Sequence, residues 1–311
     1  MNAALMHERI GILYPGEMGS AIGRLLQRSG HRVVTTLEGR GRSTEQNCRA
    51  AELQELPTLQ EVVRTAAMLL VLVPPRAAAS VAAQVRERLG TCQRERLVYV
   101  DLNSVSPEAV TAIAAGFAGT AVEFVDGAIL GLASQIGQRG VLYLSGTCAE
   151  QVAQLFHEVM PVQVLGSKPG QASMMRMLLS GMTKGVMALF VEMALAGHRA
   201  GILEQLLAAY QANYPGIMDM VQRILPTYPR HAVRRGQEVA EVENTLCQLD
   251  LCPTVMPGVR QLIAAMGQCG WTAETSDSHR GRSVPEIVID LDARQLLRRV
   301  AEADGPRFTT P

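Results

Sequence analysis

The chain has 311 residues, 48% hydrophobic and 19% charged, which excludes a disordered or solvating polymer. Lys+Arg and Asp+Glu both total 29, and aromatics are 4%, so neither bulk attraction to nucleic acid nor a base-stacking platform is expected. The six cysteines (Cys48, Cys92, Cys148, Cys247, Cys252, Cys269) lack C-x-x-C pairing and histidine spacing, so no metal site or disulfide framework is expected.

His7, Glu8 and Arg9 stand where a signal peptide would carry its apolar core, and the apolar run 66–75 is about half a membrane span. A cytoplasmic protein with no membrane or nucleic-acid partner is the expectation. Residues 10–14 read as a strand, and 20–29 as a helix with Ile22, Leu25 and Leu26 on one face, stopped by Gly30. A β-branched strand at 32–36, a helix near 58–65 and a strand at 68–73 follow, the last broken by Pro74-Pro75. Then come a helix over 77–89 and strands at 97–102, 122–126 and 141–145. This alternation predicts an α/β fold, a Rossmann-type doubly wound parallel sheet with right-handed crossovers.

From about Gly170 the texture changes. Residues 171–199 are rich in Met, Leu and Ala and contain no proline, and helical segments follow at 202–213, 217–225, 234–249, 256–266 and 290–303. The expected division is a Rossmann domain over 1–168 and an all-helical C-terminal domain over 169–311, the long apolar helix pairing two copies into a homodimer.

The chemistry begins at Tyr14-Pro15-Gly16-Glu17-Met18-Gly19, between the first strand and the first helix. A dinucleotide pyrophosphate needs helix N-terminal amides with no side chain in its path. Gly16 suits that close approach and Gly19 suits helix–strand packing. Tyr14 stands where G-x-G-x-x-G has its first glycine, so the motif rests on its strand–turn–helix context; an ordinary glycine-rich turn is the alternative. About twenty residues on, where an acidic residue would grip the adenosine ribose, Leu37 is followed by Glu38-Gly39-Arg40-Gly41-Arg42-Ser43. Arg40, Arg42 and Ser43 suit a 2′-phosphate, which points to NADP. Glu38 is the competing signal for NAD, and a solvated basic loop is the third reading. Val73, Pro74 and Asn103, at later strand ends, are expected at the nicotinamide half, with Ser104 toward substrate. Ser106-Pro107 reads as a helix N-cap pair.

These pieces, 10–19, Gly30-His31, Val73-Pro74-Pro75 and 101–107, occur in this order in the β-hydroxyacid dehydrogenases. The chain resembles that superfamily, which includes 3-hydroxyisobutyrate and 6-phosphogluconate dehydrogenases with imine reductases as relatives, over most of its length. It is most similar to a branch with its own C-terminal helical domain, echoed in Lys168-Pro169-Gly170-Gln171-Ala172-Ser173 and Thr183-Lys184-Gly185. The resemblance implies hydride transfer between NAD(P) and a small hydroxyacid- or ketoacid-type substrate; the NADPH preference rests on Arg40, Arg42 and Ser43, and an anionic substrate is expected if Arg176 lines the cleft. It also implies that Val125 to Gly131 is a divergent substrate-binding loop. Imine reduction and non-catalytic nucleotide binding are the alternatives.

In that family a helix lysine moves the alcohol proton and a polar residue one turn later holds substrate. The resemblance puts these at Arg176 and Ser180, a departure from the pattern. Arginine stays protonated, so Arg176 suits anchoring an anion rather than shuttling a proton. Lys184 is the nearest replacement: positions 176, 180 and 184 advance about 40° per step and share an arc of roughly 80°. A lysine partly desolvated beside an arginine has the lowered pKa that acid/base work needs. Arg176 and Lys184 are therefore the catalytic candidates, and Ser104, Arg176, Ser180 and Lys184 the substrate-facing set. Snorkelling at a domain boundary is the alternative for the two cations. His231, with Arg230, Arg234 and Arg235, is a secondary cluster that also reads as a solvated helix start.

Overall fold

The computed structural model describes residues 9–92, 94–269 and 281–297. It divides into two compact units, Met1–Met177 and Leu178–Pro311. The division lies inside the long helix rather than at the 168/169 step expected from composition.

Unit 1 is built on an eight-stranded sheet: β1 (Arg9–Leu13), β2 (Arg32–Thr35), β3 (Gln54–Glu55), β4 (Ala66–Val71), β5 (Leu97–Asp101), β6 (Val122–Leu130), β7 (Val141–Ser145) and β8 (Val162–Gly166). Their order is β3-β2-β1-β4-β5-β6-β7-β8. The central strands are near-continuous apolar runs because both faces are covered. Ile12, Leu70 and Val100 enter one core with Ile22, Leu26 and Phe156. Their strand neighbours Leu13, Leu69 and Tyr99 enter the other, with Val62, Val85 and Phe117. The covering helices are α1 (Glu17–Arg28), α2 (Arg42–Ala50), α3 (Leu59–Thr65), α4 (Pro75–Gly90), α5 (Pro107–Ala115), α6 (Ile136–Arg139) and α7 (Ala149–Phe156).

The expected Rossmann-type α/β sheet is present, and two details differ from expectation. The sheet is not wholly parallel, because β7 runs antiparallel to β6. The segment Val125 to Gly131 is not a loop: all but its last residue belongs to the nine-residue β6. Gly127 is a packing glycine in that strand, since a Cβ there would lie 2.5 Å from Leu102 Cδ2.

Helix α8 (Gln171–Arg199) begins in unit 1 and continues into unit 2. Unit 2 adds α9 (Leu203–Asn213), α10 (Pro215–Ile224), α11 (Tyr228–Gln248), α12 (Met256–Gln268) and a helix at Val284–Ala293. Its core holds Met187, Val191, Leu195, Val221, Val239, Ile263 and Leu291. Helix α11 starts six residues before the expected Arg234, with Pro229 in its first turn. The helix expected at 290–303 starts at Val284 after Ser283, whose amide donates to the Glu286 carboxylate at 2.7 Å. Residues 298–303 of that expectation, and His7 and Glu8 of the N-terminal one, lie outside the described residues. By length and composition α8 is apolar enough to cross a membrane, and 44% of its most apolar window is buried within the fold.

The start of α8 is tied to the sheet by Asp126. This carboxylate has no exposed surface. Its Oδ2 accepts from the Gly170 and Ser173 amides, both at 2.9 Å, and its Oδ1 accepts from the Ser173 hydroxyl at 2.7 Å. The Ser145 hydroxyl donates to Oδ2 at 3.3 Å and accepts from the Ala172 amide at 3.0 Å. A negative charge at a helix N-terminus also meets the positive end of the helix dipole. Asp126→Ala strands two buried amides and two hydroxyls, at a cost on the order of 3–5 kcal/mol. The expected result is a fall in Tm of roughly 10 °C by circular dichroism, with Asp126→Asn recovering part of it; an unchanged Tm would refute the anchor.

Candidate functional site

Gly16 is the N-cap of α1, in extended conformation, and no side chain caps the helix. A Cβ at Gly16 would meet nothing within 4 Å, so the approach to the first-turn amides is open. At Gly19 a Cβ would come within 2.6 Å of the Tyr14 carbonyl, so only glycine lets α1 pack this closely on the strand end. The Ser20 hydroxyl donates back to the Gly16 carbonyl at 2.5 Å, fixing the turn. Pro15 is buried, Met18 half-buried and Glu17 exposed.

Tyr14 is buried in the core and carries the Arg40 guanidinium 4.2 Å from its ring centroid. Burial raises the Tyr14 pKa, with Arg40 opposing and Glu38 adding to the rise. Glu38 is already engaged: its carboxylate accepts the Leu59 amide at 2.8 Å, at the start of α3. Arg42 and Ser43 are exposed in the first turn of α2, whose N-cap, Gly41, offers no side chain.

At the carboxyl ends of β4 and β5, Asn103 bridges the two strands. Its Oδ1 accepts the Val73 amide at 2.6 Å, and its own amide donates to Asp101 Oδ1 at 2.9 Å. Asn103 is 3% exposed, and its Nδ2 has no hydrogen-bond acceptor among the described residues. Pro74 and Ser104 are exposed beside this bridge, and Val73 is half-buried. Asp101 is fully buried, pairs in register with Asp126, and leaves its Oδ2 without a hydrogen bond. Arg176 donates to the Val105 carbonyl and lies close enough to Asp101 to oppose the rise in its pKa.

Further along α8, Lys184 is 6% exposed and donates to the Ser180 hydroxyl. Its Nζ lies 2.8 Å from Glu238 Oε2, and Glu238 Oε1 is 2.6 Å from Arg234. Arg235 stacks 3.8 Å from the centroid of the Tyr228 ring and donates to the Thr227 hydroxyl at 2.7 Å. Burial pulls the Lys184 pKa below the ordinary lysine value, Glu238 pulls it up, and Arg235 and Arg234 pull it down. Burial opposes ionisation of Glu238, yet Lys184, Arg234 and Arg235 together hold its carboxyl below the usual range.

Of the three α8 residues expected to act together, Ser180 and Lys184 are joined, whereas the Arg176 guanidinium is engaged by the Val105 carbonyl. His231 is half-buried in the first turn of α11. Asp101, Asp126 and Glu238 were absent from the expected set. For Glu238 the available signal was the Arg234/Glu238 spacing of four residues on one helix face. No group of three or more His, Cys, Asp or Glu among the described residues is placed to hold a metal.

The family of coenzyme F420-dependent NADP oxidoreductases matches residues 9–98, and a domain of unknown function matches residues 197–266. An uncharacterized 28.5 kDa protein of Methanothermus fervidus is 25% identical over 263 residues, covering 84% of this chain and all of that one. A conserved protein of unknown function, whose structure is similar to 3-hydroxyacid dehydrogenases, is 27% identical, with a TM-score of 0.69 over 87% of this chain and 98% of its own. The 3-hydroxyisobutyrate dehydrogenase of Mycobacterium tuberculosis superposes with a TM-score of 0.71 at 12% identity, over 91% of this chain and 99% of that one. An imine reductase from Myxococcus stipitatus, in complex with NAD+, gives 0.57 at 19% identity, over 88% and 99%. The chain carries the β-hydroxyacid dehydrogenase fold.

Within that fold the residues fit a nicotinamide dinucleotide on three counts: the uncapped start of α1, the open space at Gly16 and the partnerless Nδ2 of Asn103. The strand-end carboxylate Asp101 also makes stability depend on pH. Burial pushes its pKa up from 3.8 to about 6, with Asp126 adding and Asn103 and Arg176 opposing. A pKa raised in the folded state stabilises fully below about 3.8, and that contribution is lost as pH climbs through about 6. The loss is on the order of 3 kcal/mol. Asp101→Asn, which keeps an acceptor for the Asn103 amide, is expected to flatten Tm between about pH 4 and 6 and to raise it near pH 8. A variant with the wild-type slope would refute this.

Proposed function

We propose that this chain is an NAD(P)-dependent oxidoreductase, preferring NADPH, acting on a small hydroxyacid- or ketoacid-type substrate. The observation that carries it is the uncapped α1 N-terminus behind Gly16 at the carboxyl end of β1. In this reading the backbone from Tyr14 through Pro15, Gly16, Glu17 and Met18 to Gly19 holds the pyrophosphate. Arg40, Arg42 and Ser43 meet the 2′-phosphate, and Val73, Pro74 and Asn103 line the nicotinamide half. The NADPH preference is supported by Glu38, one carboxylate oxygen of which is engaged by the Leu59 amide at the start of α3.

The bound nicotinamide supplies or accepts hydride at the substrate carbon. Lys184, which donates to the Ser180 hydroxyl, is the proton-carrying residue in this reading. Arg176, held on the Val105 carbonyl, sets the course of the strand-end segment that carries Ser104, and its charge favours an anionic substrate. All six cysteines are unbridged, as suits a reducing cytoplasm. A homodimer is supported by α8, where Leu178, Met182, Leu189 and Met193 are exposed at helical spacing.

Titration with NADPH and NADH, followed by reduced-nicotinamide fluorescence, is expected to show tighter NADPH binding. The double variant Arg42→Ala/Ser43→Ala is expected to cut that preference about tenfold or more. Preference for NADH would overturn the 2′-phosphate assignment, and binding of neither by folded protein would overturn the oxidoreductase reading. Light scattering is expected to give twice the chain mass, with Met182→Glu/Leu189→Glu returning it to monomer; a monomeric wild type would remove the dimer.

A further inference from the structure

A cavity of about 130 Å³ lies at the amino ends of β1 and β4, whereas the Gly16 turn follows the carboxyl end of β1. Its polar lining is Arg9, Arg94, Arg96 and Gln151, and no Asp or Glu among the described residues joins them. Its apolar lining is Ile10, Ala67, Met68 and Leu155. All eight belong to unit 1. The strand pairing is irregular at this point: Arg9 pairs with Ala66 but Ile10 pairs with Met68, so Ala67 has no opposite residue on β1. Bulges recur beside sites because they re-aim side chains, and here the unpaired Ala67 lines the cavity.

Two of the three arginines are braced. Arg94 donates to the Val63 carbonyl and, at 3.1 Å, to the Arg96 carbonyl. Arg96, directly before β5, donates through Nε to Glu123 Oε2 at 2.7 Å and through Nη2 to Gln151 Oε1, which leaves Nη1 with no acceptor among the described residues. With its oxygen used there, Gln151 keeps its NH2 group to donate. The Arg9 side chain has no hydrogen bond or ion pair among the described residues. Three guanidinium groups on one small cavity repel each other, and Glu123 offsets the charge of Arg96 alone.

We propose that this cavity binds a small carboxylate with a short hydrocarbon tail, between acetate and butyrate in size. The carboxylate oxygens take guanidinium N–H groups, for which arginine is the best-matched side chain. The tail lies against Ile10, Ala67, Met68 and Leu155. Inorganic phosphate has the right charge but the wrong surface: these four residues offer no side-chain donor, and a phosphate oxygen against them would lose its hydrogen bonds with water without replacement. The site stands apart from the redox chemistry proposed above and does not depend on it.

Sodium propionate is the probe, exchanged for sodium chloride so that ionic strength stays constant. In protein carrying 13C at the methionine methyls, the Met68 signal, assigned by its loss in Met68→Leu, is expected to shift saturably with propionate. Arg9→Gln, which breaks no side-chain contact among the described residues, is expected to weaken that binding about tenfold or more, and Arg9→Lys, which keeps the charge but not the fork, to weaken it less. Ala67→Leu fills the cavity without altering charge and is expected to abolish it. Propionate is also expected to raise the Tm of the wild type and not that of Ala67→Leu. A Met68 signal that propionate leaves in place, or moves equally in wild type and Arg9→Gln, would overturn the site, as would a Tm rise that survives Ala67→Leu. Tighter binding of inorganic phosphate than of propionate would overturn the carboxylate assignment.

Discussion

The carboxylate of Asp126, without exposed surface, accepts from two amides at the start of α8 and from two hydroxyls. Much of the carboxyl edge of the sheet follows from that one tie. It fixes where α8 leaves the sheet, and so fixes Arg176, one turn and a half along, within reach of the Val105 carbonyl. It also places a satisfied charge directly beside Asp101 in the register of β5 and β6. Asp101 lacks equivalent donors, keeps one oxygen without a hydrogen bond and is pushed toward its neutral form. Adjacent aspartates thus come to differ through the hydrogen bonds each is given.

The same edge shows how a departure from a glycine motif is absorbed. Tyr14 takes the place of a glycine, and its ring turns into the core rather than toward the turn. The phosphate path is left to the backbone of Gly16, where no side chain intrudes. The ring then becomes a platform for Arg40, fixing a guanidinium that would otherwise be a freely moving loop cation. Glu38, two residues earlier, is drawn the other way to cap α3. A single loop therefore holds a positive group on the Tyr14 ring and turns one oxygen of its negative group to the Leu59 amide.

The parts of this arrangement that depend on local pattern were legible in the sequence. The apolar run of β4, the Gly16 and Gly19 positions and the Ser106-Pro107 cap each carry their reason within a few residues. Strand direction does not. The chain reverses between β6 and β7 through Gly131, at φ +137°, packed against Gly140, and nothing in the 122–145 pattern distinguishes that return from a parallel crossover. Gly127 misled for the same reason: a glycine that lets Leu102 approach looks, in sequence, like a loop glycine. The partners of Lys184 were legible only in half. Ser180 is four residues away on the same helix, but Glu238 is 54 positions further along the chain and is brought in by packing of α11.

The choice of cation at each ion pair bears on what Lys184 is for. Elsewhere among the described residues the chain pairs its carboxylates with arginine, as in Arg96–Glu123, Arg199–Asp292, Arg260–Glu243 and Arg294–Asp290, or with His198 at Asp292. The arginines of these pairs are more exposed than Lys184, and their positions suit a planar, permanently charged group that bonds through several N–H donors. A buried ion pair is a poor source of stability, because desolvating both charges offsets their attraction. At the buried position the chain uses lysine, whose ammonium, unlike the guanidinium of arginine, can release a proton under such desolvation. Glu238 holds that group in place and Arg234 holds Glu238, so the geometry is fixed while the charge on Lys184 remains variable.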